Sequence, residues 1–384
     1  MLGITGGIAA YKAVELVRLL VKADIDVQVV MTEAACQFIT PVTMQALSGK
    51  PVFKDMWDAS IPNGMPHIDL SRAADAIVIA PASADFIAKL VHGLADDLLS
   101  TLCLARDCPL LVAPAMNKQM WENPATQRNI TQLQADGIEI FGPDSGAQAC
   151  GETGLGRMLE AEELFNLIQA HFQPKILKGK KILITAGATL EMIDPVRAIT
   201  NLSSGKMGYA IAQAAFEMGA DVTLVSGASA LKPPHGVKFV SAISADSMYR
   251  NVMQHIAAQD IFISVAAVAD YSPIETSVQK IKKSKSSLSI ELKPNKDILA
   301  DVASLPNPPF CVGFAAESEN LLEYAEAKRR SKKLPLIVAN LMSDSMGQDE
   351  NSVTLLDDKG IHTLPRTSKK LVAETVLKHI ANMF

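Results

Sequence analysis

The sequence predicts an α/β protein built from two parallel-sheet domains. Three observations carry that expectation. Short apolar runs alternate with helix-period stretches, which is the pattern of parallel strands joined by crossover helices. The chain has 384 residues, enough for two domains of ordinary size. The strand–turn–helix pattern also restarts after a basic segment holding Pro174 and Gly179. The expected boundaries are 1–173 for the first domain, 174–180 for a linker and 181–384 for the second.

Taken in order, Leu2–Thr5 reads as the end of a strand that is either short or begun upstream. It runs into Gly6-Gly7. Ala10, Val14, Val17, Leu20 and Val21 then give a helix one apolar face. A strand, a glycine turn and a helix start suit a phosphate, because free N–H groups there favour an anion. A glycine needed only for a tight turn explains the pair equally well. Val27–Thr32 is the next strand and Glu33–Phe38 begins a helix. Ala76–Ala80 is a buried strand ending in Pro81-Ala-Ser-Ala-Asp85, and a helical stretch follows to about Arg106. Pro109–Ala113 is a strand ending in Pro114-Ala-Met-Asn117, and Gly137–Phe141 is the last of this half. Gly6-Gly7, Thr32, Ser83, Asn117 and the stretch after Phe141 all fall at strand ends, where ligands gather in such sheets.

That stretch, Gly142–Met158, holds five glycines and one cysteine, Cys150. It is too rich in glycine for a helix or central strand. By itself it fits a mobile flap and a surface loop with an incidental thiol equally. His67 lies before a strand and outside any clear helix, and a lone histidine is more often structural than catalytic. Asn117 suits a helix cap as well as a site. Met116 and Trp121 suit plain packing.

In the second half, Ile182–Thr185 is a strand followed by Ala186-Gly-Ala-Thr189, and Met207–Met218 is a helix. Asp221–Val225 ends in Ser226-Gly227, Ile261–Val268 ends at Ala269-Asp270, and Leu336–Ala339 is a further strand. The run Asn201–Gly208 fails the phosphate-loop pattern, since Thr200 replaces its first glycine and Met207 its hydroxyl residue. Gln279–Lys285 is the strongest charge cluster. A solvated loop explains it, and so does a polyphosphate ligand, since the chain is otherwise acidic.

Composition limits the partners. Net charge is −5, which argues against nucleic acid. The five scattered cysteines form no C-x-x-C pair, so neither a zinc knuckle nor a disulfide framework is supported, and a reducing cytoplasmic setting fits. Lys12, Glu15 and Arg18 interrupt any signal-like core. No apolar run approaches the roughly 20 residues of a membrane span.

At this point the motifs carry a resemblance. Thr5–Lys12, Pro81–Asp85, Pro114–Trp121 and Ala149–Met158 resemble the FMN-dependent cysteine decarboxylases. Asp194-Pro-Val-Arg197, Asn201–Gly208, Ala266–Asp270, Lys280-Ile-Lys-Lys283 and Gly313–Glu317 resemble a phosphopantothenate–cysteine ligase. Together they are similar to the bifunctional decarboxylase–ligase family of coenzyme A biosynthesis, over essentially the whole chain. Departures are the short first strand, Pro66 where glycine is usual, and Lys296 where proline is common.

The resemblance implies a flavodoxin-like flavoprotein decarboxylase domain followed by a Rossmann-like ligase domain. It implies FMN, bound by Gly6, Gly7, Ile8, Thr32, Phe38, Ser83, Ser100 and Met116. The flavin would oxidise the cysteinyl thiol to a thioaldehyde, an electron sink for decarboxylation. His67 would be the base, Asn117 would hold the substrate carboxylate, and Cys150 would protonate the ene-thiolate. In the ligase, CTP would activate 4′-phosphopantothenate as an acyl-cytidylate that cysteine's amine then attacks. Asn201 would steady that intermediate and Lys280 would assist its formation. Ser264, Val265, Ala266, Asp270, Lys280, Asn295, Lys296, Asp297, Ile298, Phe314, Lys328 and Lys332 would contact CTP. Mg2+ (or Mn2+) is expected with the triphosphate, and the sequence assigns it no ligands. The family also implies homo-oligomers, with decarboxylase trimers and ligase dimers that can build a dodecamer. Two other readings are weaker. A non-catalytic flavoprotein would lose catalytic residues, yet His67, Asn117 and Cys150 are all present. A nicotinamide oxidoreductase would need G-x-G-x-x-G, which is missing at Gly6-Gly7 and at Ala186-Gly187.

Overall fold

Strands β1 (Leu2–Ile4), β2 (Val29–Met31), β3 (Ile77–Ala82) and β4 (Leu110–Pro114) are buried end to end, so both faces of their sheet must be covered. With β5 (Glu139–Ile140) they form a five-stranded sheet in the order β2-β1-β3-β4-β5, parallel throughout. The crossovers are helices α1 (Ala10–Lys22), α2 (Pro41–Ser48), α3 (Pro66–Arg72), α4 (Ala84–His92), α5 (Leu98–Ala105), α6 (Lys118–Glu122) and α7 (Pro124–Ala135), and α8 (Ala161–Phe172) closes the unit. Helix α1 buries Ala10, Ala13, Leu16, Val17 and Leu20. Ile77, Ile79, Phe86, Leu102 and Leu133 build one core cluster. Truncating a ring such as Phe86 would cost about 3–5 kcal/mol.

This computed structural model describes residues 1–57, 65–234, 236–283, 288–341 and 350–384. They divide into two units, Met1–Phe172 and Gln173–Phe384. No helix among the described residues is long and apolar enough to cross a membrane.

Several expected elements differ. The helical stretch to Arg106 is two helices, because Gly93 takes a left-handed φ of 63° that ends α4, and Asp97 caps a fresh start. Glu33–Phe38 holds only one 3-10 turn, Ala35–Gln37. Val27–Thr32 is ladder only over Val29–Met31. His67 lies inside α3, in its first turn, since Pro66 starts the helix where a missing N–H costs nothing. The glycine-rich stretch is an antiparallel hairpin, β6 (Asp144–Ala147) with β7 (Thr153–Arg157), outside the main sheet. Its glycines exclude a central strand, but not a short pair that stands apart.

The second unit begins at Gln173, and the segment expected as a linker packs onto it. Leu177 is buried, its N–H donates to Met218 O (3.0 Å), and Lys175 Nζ donates to Glu217 O (2.8 Å). The strands, in chain order, are β8 (Lys181–Ala186), β9 (Leu190–Asp194), β10 (Arg197–Thr200), β11 (Asp221–Ser226), β12 (Lys238–Ser241), β13 (Ile261–Ser264), β14 (Tyr271–Pro273), β15 (Leu292–Pro294), β16 (Phe310–Glu317), β17 (Leu336–Leu341), β18 (Glu350–Asn351), β19 (Thr354–Asp357), β20 (Gly360–Thr363) and β21 (Thr367–Ser368). The main sheet runs β12-β11-β8-β13-β16-β17-β19-β20. It is parallel as far as β17, and β19 and β20 add an antiparallel edge. Its helices are α9 (Lys206–Glu217), α10 (Ala245–His255), α11 (Ile298–Ala303), α12 (Leu321–Ser331) and α13 (Lys369–Ala381). α9 and α13 share one core cluster with β8, β11 and β13. The expected strand Ile261–Val268 stops at Ser264, because Val265 and Ala266 donate their N–H groups to Thr185 Oγ1 (3.2 and 3.3 Å). In the basic cluster, Ser284 and Lys285 lie outside the described residues.

Candidate functional site

In the first sheet the strand order reverses between β1 and β3, and a crevice opens beyond their carboxyl ends. Thr5 holds those ends together. Its hydroxyl donates to Pro81 O (2.7 Å) and accepts from Ser83 N (2.9 Å). Gly6 lies against Ala34, where an added Cβ would come within 2.6 Å of Ala34 Cβ. The N–H groups of Gly7, Ile8 and Ala9 make no hydrogen bond among the described residues. Helix α1 follows them directly, with no acidic residue in its first turn. Unpaired N–H groups at the positive end of a helix dipole favour an anion.

Around this corner, Ile8 and Phe38 are exposed. Thr32 Oγ1 accepts from Ala35 N (3.2 Å), and Ser83 caps α4 by accepting from Phe86 N (3.2 Å). Ser100 is buried and engaged in a reciprocal capping box with Asp97. His67 is half-buried, and its Nδ1 is buried with no hydrogen-bond partner among the described residues. Such an atom is a costly one to leave unpaired.

Asn117 follows β4 and caps α6, its Oδ1 accepting from Gln119 N (2.8 Å). Its Nδ2 donates to Glu152 Oε2 (2.6 Å) and lies 3.5 Å from Cys150 Sγ. The hairpin brings these groups together and is latched onto the same segment. Met116 N donates to Gly156 O (2.9 Å), Lys118 N to Gln148 Oε1 (3.0 Å), and Gln119 Nε2 to Glu152 Oε1 (3.0 Å). Gly156 has φ +130°, and a Cβ there would collide with Met116 O. The hairpin's base is tied by Lys12, a buried lysine donating to Met158 O (2.7 Å) and Glu160 Oε1 (2.8 Å). Arg157 pairs with the same Glu160 oxygen (2.9 Å). Cys150 is exposed, whereas burial pushes the thiols of Cys103 and Cys311 up to about 12. Those two are packing residues, Cys36 and Cys108 are half-buried, and Cys150 is the most exposed of the five thiols.

The second sheet reverses its order between β8 and β13. A cleft of about 600 Å³ opens there, lined by Asn201, Ser203, Lys206, Val265 and Phe314 among others. Asn201 Nδ2 donates to Ala267 O and Val268 O (3.2 Å each). An adjoining cleft of about 280 Å³ is lined by Ser264, Ala266, Asp270, Asn295, Lys296, Asp297, Ile298, Phe314, Lys328 and Lys332. Ala266, Val268, Phe314 and Lys328 face both. Lys328 Nζ donates to Phe314 O (2.9 Å). Burial, helped by the neighbouring Lys332 charge, pushes the Lys328 pKa below the usual lysine value. Burial works against ionisation of Asp297, but Lys332 Nζ at 2.5 Å and the N–H of Ala300 outweigh it and hold its pKa low. Lys296 sits over the Tyr249 ring (4.3 Å).

Lys280 does not line either cleft. What fixes its segment is Asp194, a fully buried carboxylate accepting from Val196 N, Arg197 N, Arg197 Nη1 and Ile281 N (2.8–3.1 Å). Burial opposes its charge, and these donors win, so its pKa lies below the ordinary value. Glu152, Gln148 and Lys12 emerge only from the structure. The first two sit in the glycine-rich stretch without a pattern to mark them, and Lys12 meets partners about 146 residues away.

Residues 1–173 match the family described as flavoprotein, and residues 177–384 match the DNA/pantothenate metabolism flavoprotein C-terminal domain. The chain is 50% identical over 389 residues to the coenzyme A biosynthesis bifunctional protein CoaBC of Vibrio vulnificus (strain CMCP6), covering 100% of this chain and 97% of that protein. It is 47% identical over 392 residues to the protein of that name from Escherichia coli (strain K12), with 100% and 97% coverage. The crystal structure of a CoaBC C-terminal domain is 45% identical, covering 54% of this chain and 97% of that one, with a TM-score of 0.48. The chain belongs to the family of coenzyme A biosynthesis bifunctional proteins.

Proposed function

We propose a division of labour within this coenzyme A biosynthetic enzyme. The second unit, Gln173–Phe384, is a CTP-dependent phosphopantothenate–cysteine ligase. The first, up to about residue 173, is an FMN-dependent phosphopantothenoylcysteine decarboxylase that takes the ligase's product to 4′-phosphopantetheine.

In the ligase, a triphosphate needs cations where charge builds as the acyl-cytidylate forms. Lys328 and Lys332 sit at the smaller cleft, and Asp297 keeps Lys332 aimed. Asn201 has its amide on the loop carbonyls of Ala267 and Val268, beside the larger cleft, where the acyl-cytidylate would lie. Asp194 holds the segment of Lys280, which reaches the phosphates once CTP is bound. Ser264, Val265, Ala266, Asp270, Asn295, Lys296, Ile298 and Phe314 complete the nucleotide's surroundings. Mg2+ (or Mn2+) accompanies the triphosphate.

In the decarboxylase, the unpaired N–H groups after Gly6 suit the FMN phosphate, and Thr32, Phe38, Ser83, Ser100 and Met116 surround the rest. FMN bound here would take two electrons from the cysteinyl thiol end of the substrate, giving decarboxylation its electron sink, and would return them once carbon dioxide has left, so that the cofactor is unchanged overall. His67, whose Nδ1 has no partner among the described residues, accepts a proton. Asn117 Nδ2 donates to the substrate carboxylate in place of Glu152, whose carboxylate it now holds. Cys150 delivers a proton to the ene-thiolate. The observation that carries this reading is the Asn117–Cys150 pair, 33 residues apart and 3.5 Å from contact-making atom to atom.

The enzyme acts in the cytoplasm as a homo-oligomer, with trimers of the first unit and dimers of the second building a dodecamer, and light scattering gives its mass directly. Assaying both half-reactions tests the assignment. Purified protein should release pyrophosphate only with CTP, 4′-phosphopantothenate and cysteine together, and should convert supplied phosphopantothenoylcysteine to phosphopantetheine. A colourless preparation that makes no phosphopantetheine with added FMN would refute the decarboxylase.

A further inference from the structure

Away from both clefts, the antiparallel edge of the second unit carries a cluster that neither reaction uses. Asp357 ends β19 and His362 lies on β20, where it pairs with Leu355. Strand periodicity puts Asp357 and His362 on one face. His379 comes from the last turn of α13. One ligating atom from each of the three lies within 4.8 Å of the others. Asp357 is buried, and its Oδ1 accepts from Lys359 N (2.7 Å) and Gly360 N (3.0 Å), which fixes the carboxylate. Its Oδ2 is 2.8 Å from His379 Nε2. His362 Nε2 is 3.4 Å from Oδ1, yet it is buried and makes no hydrogen bond among the described residues. The two imidazole centroids are 4.9 Å apart.

We propose that Asp357, His362 and His379 form a site for a divalent transition cation, Zn2+ by its chemistry. Two imidazoles and a carboxylate select such an ion over Mg2+, which prefers oxygen ligands and keeps its waters. Bonds of about 2.0–2.1 Å put tetrahedral ligands roughly 3.3 Å apart. His379 Nε2 lies 2.8 Å from Asp357 Oδ2, His362 Nε2 lies 3.4 Å from Oδ1, and one ligating atom of each residue lies within 4.8 Å of the others, so side-chain shifts bring the three onto one ion. The hydrogen bonds from Lys359 and Gly360 are the outer support that metal-ligating carboxylates ordinarily have. His362 is partly exposed, which leaves an entry path and room for water as a fourth ligand. On binding, Zn2+ replaces the proton on His379 Nε2, and that proton leaves to solvent. His362 Nε2 gains the partner it lacks. The ion then pins the end of α13 to the β19–β20 hairpin.

The test is a titration of metal-free full-length protein with Co2+, read as a difference spectrum so that flavin absorption cancels, followed by displacement with Zn2+. Wild type should take up one ion per chain, with visible bands of a four-coordinate nitrogen–oxygen site and no thiolate charge-transfer band. Excess Mg2+ should leave these bands in place. His362→Gln should weaken binding at least roughly tenfold, since losing a ligand costs no less than losing its outer support. His362 touches neither cleft, so this variant should keep wild-type ligase activity, which verifies its fold. His379→Gln should behave likewise in binding. Equal uptake by wild type and both variants, no visible bands in wild type, or a thiolate band would each overturn the proposal.

Discussion

At the residue scale, the chemistry depends on side chains whose partners are distant in sequence. Cys150→Ser should still release carbon dioxide but stall before reduction, so an oxidised, decarboxylated product should accumulate and phosphopantetheine should fall sharply. Product analysis by mass spectrometry checks this, and normal phosphopantetheine turnover would return the thiol to an incidental role. Lys328 makes a pH prediction. Its pKa lies below 10.5 in the free protein because it is buried, and a bound triphosphate would raise it again. CTP binding should therefore take up a proton and weaken as pH rises from the lowered pKa towards 10.5, by up to about tenfold per pH unit. Lys328→Arg, always charged, should bind CTP with a flatter profile. The sequence places Asn117 and the stretch of Cys150 at strand ends, where ligands gather, and only the resemblance gives them roles. Glu152 was not legible, since nothing local says that it will occupy the Asn117 amide.

At the scale of elements, the hairpin β6–β7 is what turns two separate residues into a pair. Its register on Met116 depends on Gly156, which alone tolerates φ +130° against the Met116 carbonyl. Gly156→Ala should displace the hairpin, and a shift of about 1 Å at such a site can cost roughly a hundredfold in rate. Decarboxylation should fall by that order while ligation stays near wild type. Asp194→Asn acts on the other unit by loosening Ile281 and, with it, Lys280. Ligation should slow more than CTP binding weakens. The charge that Asp194 carries is native-state stabilising above the ordinary carboxylate pKa and is lost as pH falls through its lowered value. The apolar strands were readable because buried parallel strands are continuous apolar runs. Their ends were not. Ile261–Val268 looks uniform in sequence, but the Thr185 hydroxyl takes the N–H groups of Val265 and Ala266 and ends the ladder. The hairpin's glycines hid a strand pair, and Pro66 hid the start of a helix around His67.

At the scale of the whole molecule, each unit has its own core, one around Phe86 and Leu102 and the others around Ile263, Phe262 and Ala339. Damage to one chemistry should therefore spare the other. Lys328→Met should abolish CTP-dependent ligation while supplied phosphopantothenoylcysteine is still decarboxylated. The two-sheet architecture was legible from alternation alone. The antiparallel edge β19–β20 was not, since its strands are only four residues each. The most direct test of the bifunctional account follows the carboxyl carbon of labelled cysteine through the unmodified enzyme. Labelled carbon dioxide should appear only when CTP and 4′-phosphopantothenate are both present, approaching one per pyrophosphate released. Release of labelled carbon dioxide without CTP, or pyrophosphate with none of the label lost, would contradict it.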